Sequence, residues 1–158
     1  MTLTQKTLHD ALDGLRFAMV ATADPQAGGQ WKSRPLALAE QDGAVLRFLV
    51  STGAEWVEGL EQTGSPTTVT FSDPDKNTYV ALQGDARTVE DRARIEGLWN
   101  VGAAVYFDGK DDPTVRVLEV TVDYGEFWDG PSGRLGQVLT FAKAALGADP
   151  GAKGDVVT

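Results

Sequence analysis

Cysteine is absent from this chain, and histidine occurs once. The first absence removes disulfides, thiolate metal sites and a cysteine nucleophile together. The second leaves His9 alone in a polar N-terminal segment, so neither a Ser-His-Asp site nor a histidine-based zinc site has the residues it needs. Basic side chains are scarce: 14 Lys and Arg stand against 23 Asp and Glu, a formal charge of −9. Such a surface repels phosphate backbones and anionic lipid, which argues against nucleic-acid and membrane partners while leaving room for a local basic pocket. Long apolar runs are missing too, none approaching the roughly 20 residues of a membrane span. The first residues, "MTLTQKTLHD", lack the basic-then-apolar pattern of a secretion signal. The expectation is a cytoplasmic protein.

What is present is 158 residues of mixed composition, 42% hydrophobic, enough for one ordinary domain with a real core. One domain is expected over residues 1–147, followed by a flexible Gly- and Ala-rich tail over 148–158. Leu8, Leu12 and Leu15 at helical spacing, with Gly14 near the end, predict a short amphipathic helix over residues 4–15. "RFAMVATAD", "WKSRPLALAE", "AVLRFLVS", "TTVTFSD", "TYVALQGDARTVE" and "TVRVLEVTVDYGEFW" read as six strands. Gln41-Asp42-Gly43 is a hairpin signal, Pro74–Asn77 a turn, and Gly84 a bulge inside a long strand. Helices are expected at "GAEWVEGLEQTG", closed by Gly64, at "DRARIEGLWNVGAAVYF", and at "QVLTFAKAAL". Strands this close together favour an antiparallel sheet that closes its own edges. The fold class expected is α+β, mainly β: a six-stranded antiparallel split β-barrel with flanking helices.

Two acidic stretches invite a metal reading and fail it. From Asp73 the pattern of a calcium loop breaks, because Thr78 stands where glycine is needed and Gly84 where a bidentate glutamate is needed. "DGKDDP" is a solvated acidic loop. No metal site is assigned. Two other stretches carry more. In "WKSRPLAL", Lys32 and Arg34 alternate with Trp31 and Ser33, so a strand turns both cations to one face, suited either to solvent or to an anionic ligand. In "EFWDGPSGRL", Phe127 and Trp128 either seal a barrel end or, with Arg134, offer an aromatic plate and a cation to a planar anion.

"SRPLAL", "DPDKNTYVALQGDARTVEDRARIEGLWN", "YFDGKDDP", "VRVLEVTVDYGEFWDGPSGRL" and "FAKAALG" together resemble the pyridoxamine 5′-phosphate oxidase-like proteins, and within them the general stress protein 26 group. The resemblance spans about Leu8 to Leu146. It implies an FMN-binding split barrel and a homodimer with two flavin sites at its interface. It places Lys32, Ser33, Arg34, Pro35 and Leu36 along the flavin, with Arg34 reaching the phosphate. Leu49, Val50 and Ser51 would line the cofactor. Trp128 and Arg134 would come from the other subunit, the first beside the isoalloxazine ring and the second facing the substrate.

The departures from the family pattern are equally specific. Where the helix after "FLVS" begins with cations that clamp the phosphate, this chain has Glu55 and Trp56. A carboxylate facing a dianion at about 4–6 Å converts attraction into repulsion of a few kcal/mol. The basic residues expected shortly after Arg134 are Gly136 and Val138, so pyridoxamine phosphate oxidation itself is not expected. The first functional reading is an FMN-binding stress protein with flavin-dependent oxidoreductase chemistry and no identifiable protein acid or base. The alternative is a non-catalytic dimeric binding module that has lost tight FMN binding and takes another planar ligand, such as FAD or a deazaflavin. Haem handling is disfavoured by the position of the lone histidine.

Overall fold

In the computed structural model, residues 6–24, 27–100, 103–129 and 152–157 are described. Each of the six expected strands forms: β2 (Phe17–Asp24), β3 (Gln30–Ala37), β5 (Val45–Ser51), β6 (Ser65–Asp73), β7 (Thr78–Val89) and β8 (Val115–Asp129). Three shorter ones join them: β1 (Lys6–Thr7), β4 (Glu40–Asp42) and β9 (Ala152–Val157). Antiparallel pairing runs β3–β2–β6–β7–β8, with β5 on the remaining edge of β8 and β4 folded back on β5. The alternation that predicted these strands sorts their side chains. In β2, Ala18, Val20 and Thr22 are buried while Phe17 and Met19 are exposed; in β6, Val69 and Phe71 are buried while Thr70 and Ser72 are not.

Gly84 is where the long β7–β8 ladder slips by one residue, between Gln83 and Gly84. A Cβ at Gly84 would lie 2.0 Å from the Thr121 carbonyl oxygen, so only glycine lets the two backbones approach this closely. The bulge bends the sheet around its core of Val20, Phe48, Val69, Phe71, Leu82, Leu118 and Phe127.

The hairpin at Gln41-Asp42-Gly43 forms, with Gly43 at φ 58°, but it joins the short β4 to β5 and leaves β3 out. β3 pairs with β2 along its whole length. Consequently β3 and β5 face one another without a ladder between them, and the barrel stays split along that line.

The helices differ more from expectation. The N-terminal helix is a single described turn, α1 (Leu8–Ala11), which buries Leu8 and Ala11 against the core. Helix α2 (Glu55–Thr63) stands where expected, buries Val57 and Leu60, and stops at Gly64, whose N–H donates to the Leu60 carbonyl at 2.9 Å. The single helix expected after Glu90 is instead two, α3 (Arg92–Leu98) and α4 (Ala103–Tyr106). Trp99 turns extended, and the Asn100 side chain accepts the Ala103 N–H at 2.9 Å. Asparagine competes for backbone partners this way, ending one helix and capping the next. The expected helix "QVLTFAKAAL" lies outside the described residues. Within the stretch expected to be a loose tail, residues 152–157 form β9, which continues the edge of β8 beyond β5 and pairs in parallel with β1. Strand-edge hydrogen bonding, which composition does not register, accounts for the difference.

One charge cluster is built into the sheet. The buried Arg47 donates to Glu119 and to Glu40, each at 2.7 Å, and to Asp42 at 3.2 Å; Arg87 reaches the second oxygen of Glu119 at 3.0 Å. The Glu119 hydrogen bond and the other two carboxylates hold the Arg47 pKa above its ordinary value. Burial alone would raise the Glu119 pKa, but the hydrogen bonds from Arg47 and Arg87 outweigh it and hold the carboxyl below its usual range.

Candidate functional site

The split between β3 and β5 opens as a cleft of about 580 Å³. One wall is the chain from Arg34 through Leu36 to Ala39. The other is Leu49, Val50 and Ser51, followed by Ala54 and Trp56 at the start of α2. Asn100, Ala103 and Val105 to Phe107 close one side, and Arg16 with Phe17 stands at the end where β2 begins. The lining is largely apolar, and among the described residues it includes two arginines and no carboxylate. For a chain carrying −9 overall, that is a local reversal of sign.

Arg34 is half-buried and held from two sides. Its Nη1 donates to Thr22 Oγ1 at 2.7 Å and to the Val20 carbonyl at 3.4 Å, and its guanidinium carbon lies 4.1 Å from the centroid of the Trp56 ring. Burial lowers its pKa from the ordinary arginine value, opposed by the charge of Asp24. An arginine starts from so high a value that the group stays cationic at neutral pH. Beside it, α2 begins without a side-chain cap at Ala54, so backbone N–H groups of its first turn are unsatisfied by the usual device. Ser51 Oγ accepts the Gly53 N–H at 3.1 Å and holds this turn against Thr114, whose hydroxyl is 3.2 Å away.

Of the residues singled out from the sequence, the cleft gathers Arg34, Pro35, Leu36, Leu49, Val50, Ser51 and Trp56. Lys32 lies outside it, in an ion pair with Asp24 at 3.4 Å. Ser33 is also outside, exposed on the opposite face of β3 and paired with Ala21. Trp128 pairs with Tyr79 across β7 and β8 and does not line the cleft. Arg134 lies outside the described residues. The expectation for Glu55 changes: it is exposed and does not line the cleft, whereas Trp56 does. One helical step of about 100° separates consecutive side chains, so only one of the two can face the slot.

The sequence reading missed Arg16, Asn100, Tyr106 and Phe107. Arg16 had a usable signal, because it shares the parity of Ala18 and Val20, the inward-facing residues of β2. The other three are brought to the cleft by the break between α3 and α4, which left no periodic trace.

The family model for pyridoxamine 5′-phosphate oxidase-like proteins matches residues 4–150. The chain belongs to the pyridoxamine 5′-phosphate oxidase-like family. Its fold is shared with solved members. A general stress protein 26 from Jannaschia sp. CCS1 is 25% identical over 94% of each chain, with a TM-score of 0.68. A general stress family protein from Xanthomonas campestris pv. campestris is 26% identical over 78% of this chain and 85% of that one, with a TM-score of 0.65. The general stress FMN/FAD binding protein from Xanthomonas citri is 24% identical over 78% and 87%, with a TM-score of 0.66. No match is found among curated proteins. Like those oxidase-like relatives, this protein is mainly antiparallel sheet with a few helices. Among the described residues, no helix is long and apolar enough to cross a membrane, and no cluster of three or more His, Asp or Glu is arranged to hold a metal ion.

Proposed function

We propose that the cleft is a flavin-nucleotide site and that this oxidase-like protein is a flavin-binding stress protein capable of oxidoreductase chemistry. One observation carries the reading. A half-buried Arg34 and the uncapped start of α2 stand together in a largely apolar slot. A helix N-terminus and a guanidinium are the two devices that hold a phosphate, and the apolar walls suit a planar ring. The name of the Xanthomonas citri relative, an FMN/FAD binding protein, supports the same choice of ligand.

A bound flavin would supply hydride or single-electron chemistry. This chain would supply binding and orientation. Arg34 and the first amides of α2 would hold the phosphate, while Leu36, Leu49 and Val50 would exclude water from the ring. Among the described lining residues no Asp, Glu or His is available to move a proton, so substrate protons would exchange with solvent.

The same reading includes a homodimer. The outer face of the sheet carries Phe17, Met19, Trp31 and Tyr124 exposed. Phe17 belongs both to that face and to the cleft rim. A second copy covering the face would therefore border the cleft, and the partner's Trp128 could reach it, as the family resemblance implies.

A second reading rests on Trp56. Its ring covers Arg34 where the family pattern has a cation, which favours a module that has exchanged tight FMN binding for another planar ligand, FAD or a deazaflavin among them. Absorption spectra of the purified protein and tryptophan-fluorescence titration with FMN and FAD separate the two. Saturable quenching by FMN supports the first reading. Quenching by FAD alone supports the second, and no response to either flavin removes both.

A further inference from the structure

Arg34 is not the cleft's only cation. Arg16 lines its opposite end, and the Leu38 N–H donates to the Arg16 carbonyl at 2.8 Å, which fixes Arg16 beside Leu38. Four residues of extended chain separate Leu38 from Arg34, placing the two arginines about 13 Å apart along the slot at about 3.3 Å per residue. Their surroundings differ. Arg34 is half-buried, stacked on Trp56 and hydrogen-bonded to Thr22. Arg16 is exposed, its guanidinium 5.8 Å from the Phe17 ring centroid, and it makes no ion pair among the described residues.

We propose that Arg16 holds the electron-rich edge of a planar heteroaromatic ligand whose phosphate is held at the Arg34 end, and that it selects the reduced, anionic form of that ligand. The proposal rests on the flavin reading and adds the direction in which the ligand lies and the residue that responds to its charge. A phosphate at one end and a ring edge that gains charge on two-electron reduction at the other match a slot with one cation at each end. A cation beside that edge lowers the energy of the reduced form more than that of the neutral oxidised form. The exposed position moderates the effect, because water screens Arg16 more than Arg34.

The test uses the full chain and two probes, riboflavin and FMN, with Arg16→Gln, Arg16→Lys and Arg34→Gln. Dissociation constants for the oxidised probes come from fluorescence quenching, and those for the reduced probes from the midpoint potential of the bound flavin. Arg34→Gln should weaken FMN and leave riboflavin nearly unchanged, because its partner is the phosphate. Arg16→Gln should weaken FMN and riboflavin by the same factor, and the reduced forms several-fold more than the oxidised. A tenfold difference between redox states lowers the two-electron midpoint potential by about 30 mV. Arg16→Lys, which keeps the charge, should recover most of that shift. An Arg16→Gln effect confined to FMN would make Arg16 a phosphate contact and overturn the proposal, as would an unchanged potential. If wild-type protein binds neither probe, the flavin reading itself fails, an outcome the FMN titration identifies separately.

Discussion

The guanidinium of Arg34 stacks on the Trp56 ring, 4.1 Å from its centroid, while Thr22 takes one of its hydrogen bonds. A stacked and hydrogen-bonded arginine is preorganised, since its rotamer is fixed before any ligand arrives. On the flavin reading, the stack occupies the place from which a second cation would meet a phosphate. Trp56→Lys should therefore raise FMN affinity about tenfold and leave riboflavin unchanged, as read by fluorescence or calorimetric titration. Adding Glu55→Ser should contribute little more, because Glu55 is exposed and off the cleft. An equal gain for riboflavin would show that the substitution acts through the ring and not the phosphate.

Salt should report the same contact. If Arg34 holds the phosphate near the protein surface, FMN affinity should fall as ionic strength rises, whereas riboflavin affinity should stay flat. Titrations between about 0.05 and 0.5 M sodium chloride check this.

Gly84→Ala should destabilise the protein by about 3 kcal/mol or prevent folding, because its Cβ would collide with the Thr121 carbonyl oxygen in a fully paired part of the sheet. Gly97→Ala, with no atom within 4 Å of the new Cβ in the last turn of α3, should be neutral or stabilising and serves as the control. Chemical denaturation of both variants gives the comparison.

Acid should act through Glu119. Its folded-state pKa lies below the unfolded value of about 4.5, so the stabilisation it provides is fully present above that value and is lost as pH falls through the folded one. Thermal midpoints measured from pH 7 down to about pH 3 should drop for the wild-type protein. Glu119→Gln should be less stable at pH 7, because Arg47 loses its closest buried partner, and should show a shallower decline toward acid.

Met19 lies near the middle of the apolar outer face, paired with Pro35 on one side and Thr70 on the other. If that face joins two copies, Met19→Lys introduces the charge on both partners at once and should shift the protein from dimer to monomer in analytical ultracentrifugation. Its thermal stability at low concentration should change little, since Met19 is already 45% exposed in the single chain.

The order and identity of the six long strands followed from alternation and turn residues, because those are local properties: side chains reverse direction at every step, and Gly43, Asn77 and Gly84 mark backbone conformations or approaches that other residues resist. Alternation also set Arg34 and Leu36 on one face of β3, and family resemblance joined them to Leu49, Val50 and Ser51. Beyond that, sequence ran out for physical reasons. Which strand β5 would pair with depends on long-range hydrogen bonding, and the pairing with β4 and β8 instead of β3 is what opens the cleft. The rotation of α2 decided that Trp56 and not Glu55 meets Arg34, a matter of how Val57 and Leu60 seat the helix on the core. The chain fixed its own strands by local chemistry, but the presence of Arg16 and Arg34 in one slot comes from β2 and β3 lying side by side, a pairing that only the folded sheet creates.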